Sequence, residues 1–302
     1  MRVLVTGADG FVGRWLTAEL QRGGHEVVAG PTRDQLDLAS ASAADLAPII
    51  ASARPDAVVH LAAISFAPDA DDDPEGANAV NGRGTAAFLG GLDAAGTPAP
   101  ALVVSSADVY GRPTRLPIAE DAPLLADRPY GQSKIAQERA ALEAHGRGRA
   151  MVIARSFNHL GPGQRESFAA PAFARRVLAL KHGETSEIPV GNVDVRRDFT
   201  DVRDVARAYR LLLEALVRGD LGIEPPIVNI GSGRSVAIRD VLGILCQLAD
   251  VPMTIREDAA LVRPDEPQEI RADIGLVNRL VGWRPQIPLE RSLADLLASL
   301  EG

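Results

Sequence analysis

The first two dozen residues constrain the chain most. Arg2-Val3-Leu4-Val5-Thr6 is a short run rich in β-branched residues, the pattern of a buried strand. Gly7-Ala8-Asp9-Gly10-Phe11-Val12-Gly13 follows, and Phe11, Trp15, Leu16 and Leu20 then recur with helical spacing as far as Gly23-Gly24. Strand, glycine turn and helix in that order form the context in which the pyrophosphate of a dinucleotide is held. Gly7 permits the tight turn. Gly10 lets the backbone approach the pyrophosphate at the helix N-terminus, where amides and the helix dipole attract anions. Gly13 permits close helix–strand packing. The spacing is G-x-x-G-x-x-G rather than G-x-G-x-x-G.

The alternation continues. His25–Gly30 reads as a strand, Leu46–Ala53 as a helix and Ala57–Ala63 as a strand. The acidic stretch Asp69–Glu75 reads as a solvated loop leading into a helix at about Glu75–Ala95. Ala101–Ser105, Tyr130–His145 and Met151–Arg155 continue as strand, helix and strand. This order predicts an α/β fold, a Rossmann-type doubly wound parallel sheet with helices on both faces. Beyond Arg155 loops lengthen and prolines accumulate. Ser167–His182, Val202–Arg218 and Arg239–Asp250 read as helices, and Ile227–Ile230 and Met253–Ile255 as short strands. The predicted organisation is a dinucleotide-binding domain over 1–155 plus roughly 200–222. A smaller α/β substrate-binding lobe takes 156–199 and 223–302 and closes over the carboxyl ends of the sheet.

The end of the second strand bears on the cofactor. An acid there bonds the ribose 2′-hydroxyl in NAD sites. Here the strand ends Gly30-Pro31-Thr32-Arg33, with no acid before Asp34. Arg33 suits a 2′-phosphate, so NADP(H) is expected over NAD(H).

Ser106 lies just past the apolar run Ala101-Leu102-Val103-Val104, and Pro129 opens a helix that sets Tyr130 and Lys134 one turn apart on one face. Ser, Tyr and Lys converging at a strand end make an alcohol–ketone redox site. The phenol gives a proton to a carbonyl oxygen while hydride reaches carbon. A free Tyr has a pKa near ~10, and an ammonium at ~4 Å with effective dielectric ~20 would favour the phenolate by up to about 4 kcal/mol, about three pK units. Ser106 would hydrogen-bond the same substrate oxygen.

Composition excludes several classes. The 302 residues carry a net charge of −8, and Lys and Arg form no run, which argues against nucleic acid or an anionic membrane as partner. No apolar run reaches ~18 residues and Met1 leads straight into a strand, so neither a membrane span nor a signal peptide is expected. The single cysteine, Cys246, sits in an apolar helical pattern and reads as a buried thiol in a reducing cytoplasm. His60 reads as structural lining. No second His or Cys accompanies it, so no metal site is expected.

Thr6-Gly7-x-x-Gly10-x-x-Gly13, His60-Leu61-Ala62-Ala63, Asn81-Gly82-Arg83-Gly84-Thr85, Ser105-Ser106-x-x-Val109-Tyr110-Gly111 and Tyr130-x-x-x-Lys134, in this order, resemble the extended short-chain dehydrogenase/reductases acting on nucleotide sugars. The resemblance implies cofactor contacts from Gly7, Asp9, Gly10, Phe11, Val12 and Gly13. It adds Arg33, Asp37 and Leu38 after the second strand, Leu61, Ala62 and Ala63 after the third, and Asn81, Ser105, Tyr130 and Lys134. Arg155 to Gln164, Val190-Gly191-Asn192, Arg197 to Val202 and Arg263-Pro264-Asp265-Glu266 resemble the GDP-mannose branch, which holds 4,6-dehydratases and 4-keto reductases. By that resemblance Asn158 would contact the sugar diphosphate and Arg197 and Arg263 the phosphates. Val190 to Asn192 would line the guanosine pocket, and Glu266, Ser106 and Asp108 would complete the substrate contacts. A guanidinium fork suits a diphosphate.

A dehydratase of this branch carries a Glu base two positions before the Tyr of the Tyr-Gly pair. This chain has Asp108 there, shorter by one methylene, about 1.5 Å of reach. Gln35-Leu36-Asp37-Leu38 also resembles the deoxysugar reductases. The expected activity is therefore NADPH-dependent reduction of the C4 ketone of GDP-4-keto-6-deoxy-D-mannose, with GDP-D-rhamnose as product. The alternatives are a GDP-mannose 4,6-dehydratase, a nucleotide-sugar epimerase and a non-enzymatic NADP-binding protein. Asp108 either bonds a sugar hydroxyl or orders its loop. The family implies a homodimer in which Glu75–Ala95 and Tyr130–His145 pack on their symmetry mates as a four-helix bundle.

Overall fold

The computed structural model describes residues 1–222, 224, 226–262 and 266–301. Six parallel strands form the main sheet: β1 (Arg2–Thr6), β2 (Glu26–Ala29), β3 (Ala57–His60), β4 (Ala101–Ser106), β5 (Met151–Ser156) and β6 (Ile227–Ile230). They stand in the order β2-β1-β3-β4-β5-β6. The order reverses at β1, which has β2 on one side and β3 on the other. Ligands bind at such a switch point, outside the carboxyl ends of the strands.

Strand alternation builds both faces. Val3 and Val5 point into one core with Leu16 and Leu20 of the helix Phe11–Arg22 and with Val205, Tyr209 and Leu212 of the helix Val202–Arg218. Leu4 points the other way, against Leu46 and Ile50 of the helix Ala43–Ala53, Phe88 and Leu92 of Thr85–Ala94, and Ala141 of Pro129–Gly146. A separate core joins the helices Ala169–Lys181, Ile238–Ala249 and Leu289–Glu301 over Ile188, Val190 and Phe199.

Several expectations need correction. The lobe does not take all of 223–302. β6 is a strand of the main sheet, and Val277 and Trp283 pack in the core beneath it. The acidic stretch is not a loop. Ala67–Asp72 is helical with Pro at its start, and Asp73 then caps Pro74–Asn78 by accepting from Gly76 N. The following helix is interrupted by a π-helical segment, Ala79–Gly84. The short strand expected at Met253–Ile255 is Ile255–Glu257, paired in parallel with Ile188–Val190. Cys246 is buried and free. Among the described residues no helix is long and apolar enough to cross a membrane, and no group of three His, Cys, Asp or Glu could hold a metal ion.

Candidate active site

The glycine turn lies at the β1/β3 switch point. Gly7 has φ +69°, and a Cβ there would stand 3.0 Å from the Ala62 backbone nitrogen. A Cβ on Gly13 would meet the Gly7 carbonyl at 2.1 Å, so the helix can approach the turn only with glycine there. Gly10 differs, because a Cβ would meet nothing closer than the Gly7 carbonyl at 3.2 Å. Gly10 N-caps the helix, no side chain caps it, the first turn holds no acid, and Asp9 and Gly10 are exposed. A bare N-terminus beside an exposed glycine fits a pyrophosphate. Leu61 N bonds the Thr6 carbonyl and Ala62 N the Thr6 hydroxyl, so Leu61–Ala63 flank the turn.

Two neighbours are less available than the motif implies. Asp37 turns inward to its own loop, accepting from Ala39 N at 3.0 Å, and Leu38 packs on Gly84 and the second face of the sheet. Arg33 is exposed, and its nearest acid is Asp37 at 3.7 Å, beyond a good hydrogen bond.

Ser106 ends β4 and caps the 3₁₀ turn Ala107–Tyr110. Its hydroxyl donates to Asp108 Oδ2 at 2.8 Å and accepts from Asp108 N at 3.1 Å. The buried Tyr130 phenol lies near the same hydroxyl. The Ser106 proton is taken by Asp108 Oδ2 and one of its lone pairs by Asp108 N. Gly131 locks this arrangement, since a Cβ there would lie 2.6 Å from the Asp108 carbonyl and from Ala126 Cβ.

The expected coupling of Tyr130 to Lys134 is not what the site shows. Burial, and then the Asp108 carboxylate, hold the Tyr130 phenol above its ordinary value, while the Ser106 hydrogen bond pulls it partly back. The Lys134 ammonium is bound elsewhere, to the Val104 carbonyl at 3.0 Å and Gln137 Oε1 at 2.7 Å. Burial pushes Lys134 down to about 8 against the pull of Glu138 and Asp108. The Coulomb estimate omitted the cost of burying a phenolate, and that cost dominates here.

Ser105 and Asn81 do not offer their side chains to a cofactor. Ser105 faces the interior and donates to Glu138 Oε1 at 2.6 Å. Asn81, fully buried in the π-helical segment, clamps Ile64 N and O and the Ser133 hydroxyl at 2.8–2.9 Å. Glu138 is the centre of a buried network. Its carboxylate takes Arg155 Nε at 2.9 Å and Nη2 at 2.7 Å, and Arg155 reaches on to the Tyr110 hydroxyl and the Glu120 carbonyl.

His60, at the end of β3, joins Thr6 Oγ1 at 2.8 Å and Thr85 Oγ1 at 2.9 Å and stacks on Phe88. Burial, aided by Lys134, holds it down to about 3, so it stays neutral. A histidine depressed in the folded state contributes stability fully above ~6.5, and that stability is lost as pH falls toward 3 because the unfolded chain binds the extra proton. Between pH 7 and 4.5 His60 should remove about 2–3 kcal/mol. Urea denaturation at both pH values should show His60→Gln losing correspondingly less stability than the wild type on acidification; equal losses would contradict this account.

In the lobe, Asn158 is exposed just past β5, and its side chain has no hydrogen-bond partner among the described residues. Val190 cannot line a guanosine pocket with its side chain, which is fully buried in the lobe core. Asn192 accepts from Asp194 N at 3.1 Å. Arg197 is not an open fork: Nη2 meets Glu266 Oε1 at 2.6 Å and Nη1 the Pro267 carbonyl at 2.9 Å, so two expected substrate residues bind each other. Arg263 lies outside the described residues. The motifs missed Gln137 beside Lys134, and the buried Tyr209–Ser156 hydroxyl pair near Tyr130; Thr85 stood in a motif without a role and here accepts from Gln137. Gln137 was visible in principle, three residues from Lys134 on the same helix face.

Residues 3–231 match the NAD dependent epimerase/dehydratase family, and the chain belongs to it. The GDP-6-deoxy-D-mannose reductase of Pseudomonas aeruginosa is 36% identical over 305 residues, 99% of this chain and 97% of that protein. The solved structure of RMD from Pseudomonas aeruginosa complexed with NADPH superposes with a TM-score of 0.88 at 33% identity, covering 100% of this chain and 99% of the other. The GDP-6-deoxy-D-talose 4-dehydrogenase of Aggregatibacter actinomycetemcomitans is 29% identical, over 93% of this chain and 91% of that protein.

Proposed function

We propose that the chain is an NADPH-dependent oxidoreductase that reduces the C4 ketone of GDP-4-keto-6-deoxy-D-mannose to a GDP-6-deoxyhexose, GDP-D-rhamnose. The full-length likeness to a GDP-6-deoxy-D-mannose reductase carries this reading. NADPH, when bound over the glycine turn, supplies the hydride. Tyr130 donates its proton to the C4 oxygen. Its raised pKa suits this direction, because a reduction needs the phenol protonated, whereas an epimerase or dehydratase cycle begins by taking a proton from the sugar. The ketone oxygen replaces Asp108 as acceptor of the Ser106 proton. Lys134 places a positive charge beneath the site. Asn158 meets the sugar diphosphate.

Arg33 pairs with the 2′-phosphate. Arg33→Ser should raise the NADPH dissociation constant about tenfold and leave NADH binding unchanged; fluorescence titration with both nucleotides checks this. The chain works as a homodimer in which the segment Pro74–Ala94 and the helix Pro129–Gly146 meet their symmetry mates. Light scattering at micromolar concentration should give twice the chain mass.

The reductase reading is tested by offering GDP-mannose and the 4-keto sugar separately. NADPH should be consumed only with the ketone, and GDP-mannose should remain unchanged. Direct conversion of GDP-mannose to the ketone would replace this reading with the dehydratase.

A further inference from the structure

We propose that Gln137 is a positioning residue for Lys134, held in one orientation by a buried chain of Thr85, His60 and Thr6 that ends at the glycine turn. The kinetic consequence rests on the reductase reading; the contact itself does not.

Donor counting fixes the first two links. Lys134 has only donors, so the atom facing it at 2.7 Å must be the Gln137 carbonyl oxygen. The amide nitrogen of Gln137 then points at Thr85 Oγ1, 3.2 Å away, and Thr85 must accept. Thr85 Oγ1 in turn lies 2.9 Å from His60 Nε2, and His60 Nδ1 lies 2.8 Å from Thr6 Oγ1, which also accepts from Ala62 N. One end of this run is the catalytic lysine and the other the residue preceding Gly7. Gln137, Thr85 and His60 are fully buried, so no water can substitute for a missing partner.

An ordinary core would place an apolar residue at 137. Two of the three Lys134 N–H groups are bound within the protein, to Val104 and Gln137. The charged groups facing the ammonium are Glu138 on its own helix and Asp108 across the β4 turn; Tyr130 and His60 face it uncharged. Burial already draws Lys134 toward neutrality, so a lost acceptor shifts its charge state within the working pH range.

The sequence contains only two lysines, Lys134 and the exposed Lys181, so full-length protein labelled with ¹³C at lysine Cε gives two resonances to titrate. In the wild type Lys134 should titrate below Lys181. In Gln137→Met, of similar volume but without the acceptor, the Lys134 midpoint should fall by about one pH unit. In Gln137→Glu it should rise by about the same amount, because a carboxylate now faces the ammonium. Thr85→Val, which frees the amide without touching Lys134, should lower the midpoint by less. The pH at which kcat declines should move with the NMR midpoint in each variant. If Gln137→Met does not fold, Gln137→Glu and Thr85→Val read the same contact. Unchanged midpoints in the folded variants overturn the proposal. Shifted midpoints without any wild-type turnover on the 4-keto sugar would instead strike the reductase reading and leave the positioning role standing.

Discussion

Replacing Tyr130 by phenylalanine is expected to lower kcat/KM for the 4-keto sugar by about 10²–10⁴, the range contributed by a placed general acid. NADPH affinity should stay near that of the wild type. Ser106 keeps both of its hydrogen bonds to Asp108 after the change. The ring remains in the small cluster with Ala70 and Ala77, so the fold loses little. Loss of both turnover and NADPH binding would mean that the site had collapsed, and activity within tenfold of the wild type would remove Tyr130 from its role. Ser106→Ala should cost less, since the proton donor itself survives.

The largest expected effect on stability is at Glu138. Glu138→Leu leaves the Arg155 guanidinium, 3% exposed, with its Nε and Nη2 donors unmatched in the core. Removing one partner of a buried ion pair costs about 3–5 kcal/mol, a fall in Tm of roughly 5–10 °C for a chain of this length. Leucine at both Glu138 and Arg155 should recover much of the loss, because the penalty lies in the unpaired charge rather than in the absent pair. Calorimetry on the two single variants and the double variant checks this. A single-variant loss below about 1 kcal/mol would show that solvent reaches the pair.

The sheet, and the places of Ser106 at a strand end and of Tyr130 and Lys134 on one helix, were legible because local periodicity controls them. β-branched runs marked β1, β3 and β4, and Pro129 marked the start of the helix that carries Tyr130 and Lys134. The π-helical segment at Ala79–Gly84 was not legible. What holds Asn81 inward there is a pair of hydrogen bonds to Ile64, seventeen residues away. Val190 shows the limit of motifs: the triplet Val190–Asn192 suggested a ligand pocket, but period-two burial of Ile188 and Val190 places both side chains in the lobe core. Arg197 and Glu266 were assigned separately to the substrate, because no local pattern reveals that side chains 69 positions apart meet. The coupling of Tyr130 to Lys134 failed for an energetic reason, since a pairwise Coulomb estimate carries no desolvation term.

Hydride delivery from NADPH to C4 of the sugar is read by mixing the purified chain with GDP-4-keto-6-deoxy-D-mannose and NADPH deuterated at the transferable nicotinamide position, then examining the sugar by NMR. One NADPH should be oxidised per sugar, with one deuterium at C4 of a 4-hydroxy product. A product without deuterium at C4, or ketone that persists while NADPH remains reduced, would contradict that delivery.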